Sequence, residues 1–241
     1  MSALIFCLPH AGGGGHQYLP WAAQLHPAIE WLPLDYPGHF ARADEPLMDS
    51  LAGLACALGA EMLQHAGGRP FGLFGHSMGG ALAFEVAHHL AAAQSGALRL
   101  LLISSAAPPQ RRDPAAHASL ALDDAAFVRQ LVASGGLSPA AADNPALLRS
   151  VLPLIRHDYR LYDAHRPPPR PPLDVPLAAL WGAAETWLGA AMPAWAECSR
   201  AFLAGTCYPG AHFYWQTSRG ALLADIATCA RRHLFPSHFS G

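Results

Sequence analysis

The chain has 241 residues, 52% of them hydrophobic and only 13% charged, so the low-hydrophobicity, high-charge signature of disorder is absent and one large folded domain spanning 1–241 is expected. Fifteen Lys+Arg against 17 Asp+Glu give a net charge of −2 with no basic run, which removes the electrostatic footprint of a nucleic-acid binder. No stretch approaches about eighteen uninterrupted apolar residues, and Met1 to Leu8 lacks the basic leader and long apolar run of a secretory signal, so a cytoplasmic protein that does not enter the membrane is expected. Five widely spaced cysteines without a C-x-x-C pair read as reduced, packed thiols rather than a disulfide framework or a zinc site.

Along the chain, short apolar runs alternate with segments of helical period. Leu4 to Leu8 reads as a buried strand ended by Pro9, and Trp31 to Leu34 as a second, closed by Asp35-Tyr36-Pro37-Gly38. Leu47, Leu51, Leu54, Leu58 and Met62 fall three or four apart, which predicts a helix ending near Gly67-Gly68. A third strand, Phe71 to Phe74, leads through Gly75-His76-Ser77-Met78-Gly79-Gly80 into an Ala-rich helix to about Ala93, and Leu98 to Ile103 is a fourth. From about 110 to 165 the alternation breaks: helical patterns at Asp123 to Ala133 and Pro145 to Asp163 follow one another with no strand between, which marks a helical insertion. A Pro-rich run, Arg166 to Pro172, is too stiff for helix or central strand and reads as a hinge back to the core. Leu177 to Trp181 resumes the sheet, followed by a helix from Met192 to Phe202, a strand at Thr206 to Tyr208 and a helix from Gly220 to Leu234. Strands that are apolar throughout and separated by helices predict a mostly parallel sheet with helices on both faces.

The chemistry sits in the turns. Gly75-His76-Ser77-Met78-Gly79 fits G-x-S-x-G between a strand and a helix, the context of the nucleophile elbow of an α/β-hydrolase fold. A strand-to-helix turn this sharp exposes the Ser77 hydroxyl beside a helix N-terminus that favours developing negative charge. A serine hydroxyl needs a base, and His212, in the loop after the last strand, is the histidine that Ser…acid…His order selects. His76 is assigned to packing, and His157 and His165 to solvated positions of the insertion. Glu185 is the first acid past the preceding strand and becomes the third member, with Asp163 and Asp174 as alternatives. The Gly-rich loop Pro9 to Gly15 follows the first strand, so the Ala11 N–H, together with that of Met78, is expected to form an oxyanion hole.

Five stretches together resemble one family, the type II thioesterases of nonribosomal peptide and polyketide synthetases: Pro9-His10-Ala11-Gly12-Gly13, Asp35-Tyr36-Pro37-Gly38-His39, Arg69 to Gly79, the insertion with Leu152-Pro153-Leu154 and Asp158-Tyr159-Arg160, and Pro209 to Phe213. The family carries aspartate in the turn where this chain has Glu185. The resemblance implies that Ser77 and His212 act as nucleophile and base and that the insertion is a lid over the acyl site. It also implies hydrolysis of stalled acyl groups from the phosphopantetheine arms of acyl- or peptidyl-carrier domains, in pathways such as antibiotic or siderophore biosynthesis. No metal or redox cofactor is needed for a thioester. The alternative reading is a serine carboxylesterase or lipase-like hydrolase of small esters. A carrier domain is expected to dock near the lid, with Arg111 and Arg112 as candidate contacts.

Overall fold

In the computed structural model, residues 2–111 and 119–235 are described; Arg112 lies outside them. Among the described residues, six strands form one sheet: β1 (Ala3–Leu8), β2 (Ile29–Pro33), β3 (Phe71–His76), β4 (Leu98–Ser104), β5 (Leu177–Gly182) and β6 (Phe202–Tyr208). Their order is β2-β1-β3-β4-β5-β6, and every neighbouring pair is parallel. Because side chains alternate across a strand, β1 feeds both cores: Leu4, Phe6 and Leu8 join one, Ala3, Ile5 and Cys7 the other. The first core is covered by α1 (Leu51–Ala66), α2 (Met78–Ala92) and the short α6 (Thr186–Ala191), which contributes Leu188 and Ala191. Across the sheet, α7 (Trp215–His233) presses Leu222, Leu223 and Ile226 onto the second core beside Tyr18 and Trp21. Burial on both faces is why these strands read as unbroken apolar runs.

The insertion supplies α3 (Asp124–Ser134), α4 (Pro139–Ala142) and α5 (Pro145–Ala164). Side-chain caps set their starts: Asp123 accepts from the Ala126 N–H, Ser138 from Ala141 and Asn144 from Ala146 and Leu147. Phe127, Leu131, Leu152 and Ile155 give this segment a small core of its own.

Several expectations need correction. The helix expected over Met192 to Phe202 is a 3₁₀ segment, Met192–Glu197, and Phe202 opens β6 instead of closing a helix. Strand β6 starts at Phe202 rather than Thr206; its first residue had been assigned to the preceding helix, and it is an edge strand with mostly exposed or half-exposed residues. Helix α7 begins at Trp215, ahead of Gly220, with non-helical backbone at Ser218 close to the boundary expected from sequence. His165 is not solvated: its side chain is 11% exposed and its Nε2 lies 3.1 Å from Glu85 Oε1. All five cysteines are free, but only Cys7 and Cys198 are buried, while Cys56 and Cys207 are exposed. No helix among the described residues is long and apolar enough to cross a membrane.

Candidate active site

Ser77 closes β3 and caps α2 with φ 57° and ψ −121°, backbone angles that a non-glycine residue adopts only when its surroundings force them. The forcing is steric. A Cβ on Gly75 would lie 2.0 Å from Gly79 O, and one on Gly79 would lie 2.1 Å from Leu8 O, so strand, turn and helix approach to backbone contact. The turn is pinned by the Ser77 N–H, which donates to Ser104 O at 2.8 Å. Met78, directly after it, is the first residue of α2, where N–H groups have no intrahelical acceptor.

His212 stands on the loop between β6 and α7, and Glu185 on the turn between β5 and α6. The structure brings all three together. His212 Nε2 lies 2.9 Å from Ser77 Oγ, and Nδ1 lies 2.6 Å from Glu185 Oε1. The carboxylate thus accepts from Nδ1–H, which fixes the neutral tautomer with a free lone pair on Nε2 facing the serine hydroxyl. The other oxygen of Glu185 accepts from the Ser105 hydroxyl at 2.6 Å and from the Gly182 N–H at 3.2 Å. Burial alone would raise the Glu185 pKa, but the hydrogen bond and charge of His212, with the bonds from Ser105 and Gly182, hold it below the ordinary carboxylate value. Of the two alternatives, Asp174 pairs with Arg200 at the surface and Asp163 lines the cavity wall.

Two more imidazoles crowd His212 without competing for its role. Burial, then the charges of His212 and His16, lower the His10 pKa to about 3, and its Nδ1 pairs with the Tyr18 hydroxyl at 3.0 Å. His76 is fully buried and its pKa is also lowered, chiefly by burial; it bonds to Ser104 Oγ rather than to Ser77. Both are therefore neutral packing elements at pH 7, in line with the packing assignment of His76.

Above Ser77 lies a cavity of about 380 Å³. Its walls come from the Gly-rich loop (Ala11), from α3 (Leu131), from α5 (Ile155 and Tyr159), and from Trp187 and Phe213. Trp187 lines the cavity while remaining 49% exposed. Of the Gly-rich loop residues, Gly12, Gly13 and Gly15 turn their N–H groups inward, to Asp158 Oδ2, His10 O and Asp35 Oδ1 respectively. Sequence reasoning missed Ser105, because its role depends on β4 ending beside β5, which no local pattern reports. It missed Asp158 as well, although Asp158-Tyr159-Arg160 was among the motifs that carried the resemblance.

Parallel sheet, sharp Gly-flanked elbow and hydrogen-bonded Ser-His-Glu row together define an α/β-hydrolase. Within that class, the thioesterase-domain family model matches residues 3–229, and the chain belongs to the thioesterase family, hydrolases of thioester bonds. It is 33% identical over 178 residues to a probable cadicidin biosynthesis thioesterase of Streptomyces griseus, covering 74% of this chain but only 48% of that protein, so the chain spans about half the length of this relative. It is 32% identical over 231 residues to thioesterase PikA5 of Streptomyces venezuelae, covering 92% and 79% of the two chains. Among solved structures, the type II thioesterase BorB from the borrelidin biosynthetic cluster superposes with a TM-score of 0.81 at 33% identity, over 96% of this chain and 92% of that one.

Proposed function

We propose that the chain is a type II thioesterase that removes aberrant or stalled acyl groups from the phosphopantetheine arms of carrier domains in nonribosomal peptide or polyketide assembly. The observation that carries this reading is the Ser77–His212–Glu185 row opening onto an acyl-sized cavity, in a chain of the thioesterase family. Ser77 Oγ attacks the thioester carbonyl as His212 Nε2 takes its proton. The Met78 and Ala11 N–H groups stabilise the tetrahedral oxyanion, and the intermediate collapses with His212 returning the proton to the departing thiol. Water, deprotonated by His212, then attacks the acyl-serine ester, and His212 passes that proton to the departing Ser77 Oγ as the acid is released. Glu185 holds the imidazole tautomer and supports the imidazolium in both halves. The whole chain is read as one domain, with the 110–165 segment acting as a lid, and the site of action is the cytoplasm, where carrier domains present their substrates.

The test compares an acyl-phosphopantetheinyl carrier protein with an aryl ester of the same acyl group, following thiol release and phenol release. A clearly higher kcat/KM on the carrier substrate is expected. Equal or better turnover of the free ester favours the carboxylesterase alternative instead.

A further inference from the structure

Two motifs take no part in the mechanism above: Asp35-Tyr36-Pro37-Gly38-His39 after β2, and Asp158-Tyr159-Arg160 in α5. The structure brings both onto the Gly-rich loop. The Tyr36 hydroxyl donates to Pro9 O at 2.7 Å, the Gly15 N–H to Asp35 Oδ1 at 2.7 Å, and the Gly12 N–H to Asp158 Oδ2 at 2.7 Å. Ile155, one turn before Asp158 on the same face of α5, packs so closely on Gly12 that a Cβ there would lie 2.2 Å from its Cγ1. Asp158 is 1% exposed and also accepts from His39 Nε2 at 3.0 Å. His39 Nδ1 lies 2.9 Å from Pro37 O and its Nε2 faces the Asp158 carboxylate, so the ring is held from both sides. Burial alone would lower its pKa, but the hydrogen bond and charge of Asp158 outweigh burial and raise it.

We propose that Asp158 is a positioning residue for the oxyanion hole: by holding the Gly12 amide from α5, it fixes the adjoining Ala11 N–H at the reacting carbonyl and makes a competent site depend on α5 being seated. This rests on the reading of Ser77 as nucleophile and Ala11 as oxyanion donor. A buried carboxylate bonded to a backbone amide next to a reacting group fixes peptide-plane orientation, and a misplaced oxyanion donor is costly. The same bond joins the insertion, which shapes the acyl cavity, to the loop that would stabilise charge.

The experiment uses the full chain with two variants, assayed on an acyl-carrier substrate and with a boronic acid of the same acyl chain as a tetrahedral mimic. In Asp158→Asn the amide oxygen still accepts from Gly12 and its NH₂ donates to a neutral His39, so kcat within about threefold of the parent is expected. In the double variant His39→Leu/Asp158→Leu neither buried partner is left unpaired, so folding should persist while Gly12 loses its acceptor. There kcat should fall about 10- to 100-fold, boronate affinity should fall by the same factor, and KM should change little. A folded double variant with parental kcat, or one whose loss lies in KM with boronate affinity intact, overturns the proposal. So does a loss above about tenfold in Asp158→Asn, the variant that keeps every group paired. Hydrolysis that survives in Ser77→Ala would instead remove the nucleophile reading, a separate outcome.

Discussion

The β3–α2 elbow and the α3–α5 insertion face each other across one cavity, yet they are held by different forces. At the elbow, backbone meets backbone: Gly75 and Gly79 are in contact with carbonyls, and Ser77 is fixed between two buried cores. Among the described residues, the insertion has a core of four buried residues and reaches the rest of the protein through side-chain pairs, notably Asp158 with His39 and, just past α5, His165 and Arg170 with Glu85. Backbone contact leaves no adjustable part, whereas side-chain pairs can break and reform. Under the proposed function, the chemistry is mounted on the region held by backbone contact and the acyl-facing wall on the one held by side-chain pairs. Changes at the elbow should strike kcat, and changes in the insertion should strike KM and stability, except at Asp158, which bonds the Gly12 amide beside the proposed oxyanion donor and should therefore strike kcat.

The largest expected effect tests the stiff side. Ser77→Ala should fold normally and lose on the order of 10³-fold or more in kcat on an acyl-carrier substrate. Residual activity within about tenfold of the parent would show that the elbow does not carry the nucleophile. Next comes the acid. Glu185→Gln should cost on the order of 10²–10⁴ in kcat, because a neutral amide neither fixes the His212 tautomer nor supports the imidazolium. Glu185→Asp should fall between parent and Gln: the turn is built around glutamate, whose second oxygen is held by Ser105 and Gly182, and a shorter side chain cannot reach both these groups and His212 Nδ1. Full activity in Glu185→Asp would mean that the turn adjusts and is less stiff than the elbow.

The same contrast explains what could be read from the sequence. The elbow was legible because its geometry tolerates only glycine at Gly75 and Gly79; the motif named Ser77, and chain order pointed to His212 and Glu185, which the structure places within hydrogen-bond reach of one another. The parallel sheet was legible because strands buried on both faces leave apolar runs. What stayed hidden depends on tertiary approach. Ser105, with a left-handed φ of 46° at the end of β4, meets Glu185 only because β4 and β5 are neighbours. His39 and Asp158 are 119 positions apart, and nothing local to either announces the pair. The start of β6 was missed because Phe202 continued the helical pattern read from Met192, where the structure has a 3₁₀ segment that ends at Glu197.

A change within the insertion sharpens the comparison. Phe127 is fully buried, meets Tyr159 edge-to-face with ring centroids 5.3 Å apart, and lies under the Arg156 guanidinium at 4.4 Å. Phe127→Ala removes the centre of the small core, a truncation that costs about 3–5 kcal/mol in a well-packed site. Because that core belongs to the insertion, the loss should appear as faster amide hydrogen exchange in α3 and α5 and as a higher KM, with β3 and α2 protected as before. Equal loss of protection in both regions would show that they unfold as one unit.

The smallest effect concerns acid. Glu85 on α2 is 7% exposed, and its carboxylate is shared by Arg170 of the Pro-rich return and by His165 at the end of α5. Burial alone would raise its pKa, but the hydrogen bonds from His165 and Arg170 and their charges bring it from 4.5 to about 2. A folded-state value below the unfolded one means that the ionised carboxylate stabilises the fold at every pH above about 4.5, and that this contribution is lost as pH falls toward 2. The depression corresponds to at most ~3 kcal/mol at neutral pH. Denaturant unfolding of parent and Glu85→Gln should therefore differ most at pH 7 and converge as pH falls through that window. A stability difference that stays constant between pH 7 and pH 3 would place the acid sensitivity elsewhere. Since Glu85 joins the insertion's return path to α2 and takes no part in the elbow, the parent at low pH should loosen first in α5, by hydrogen exchange, while β3 keeps its protection.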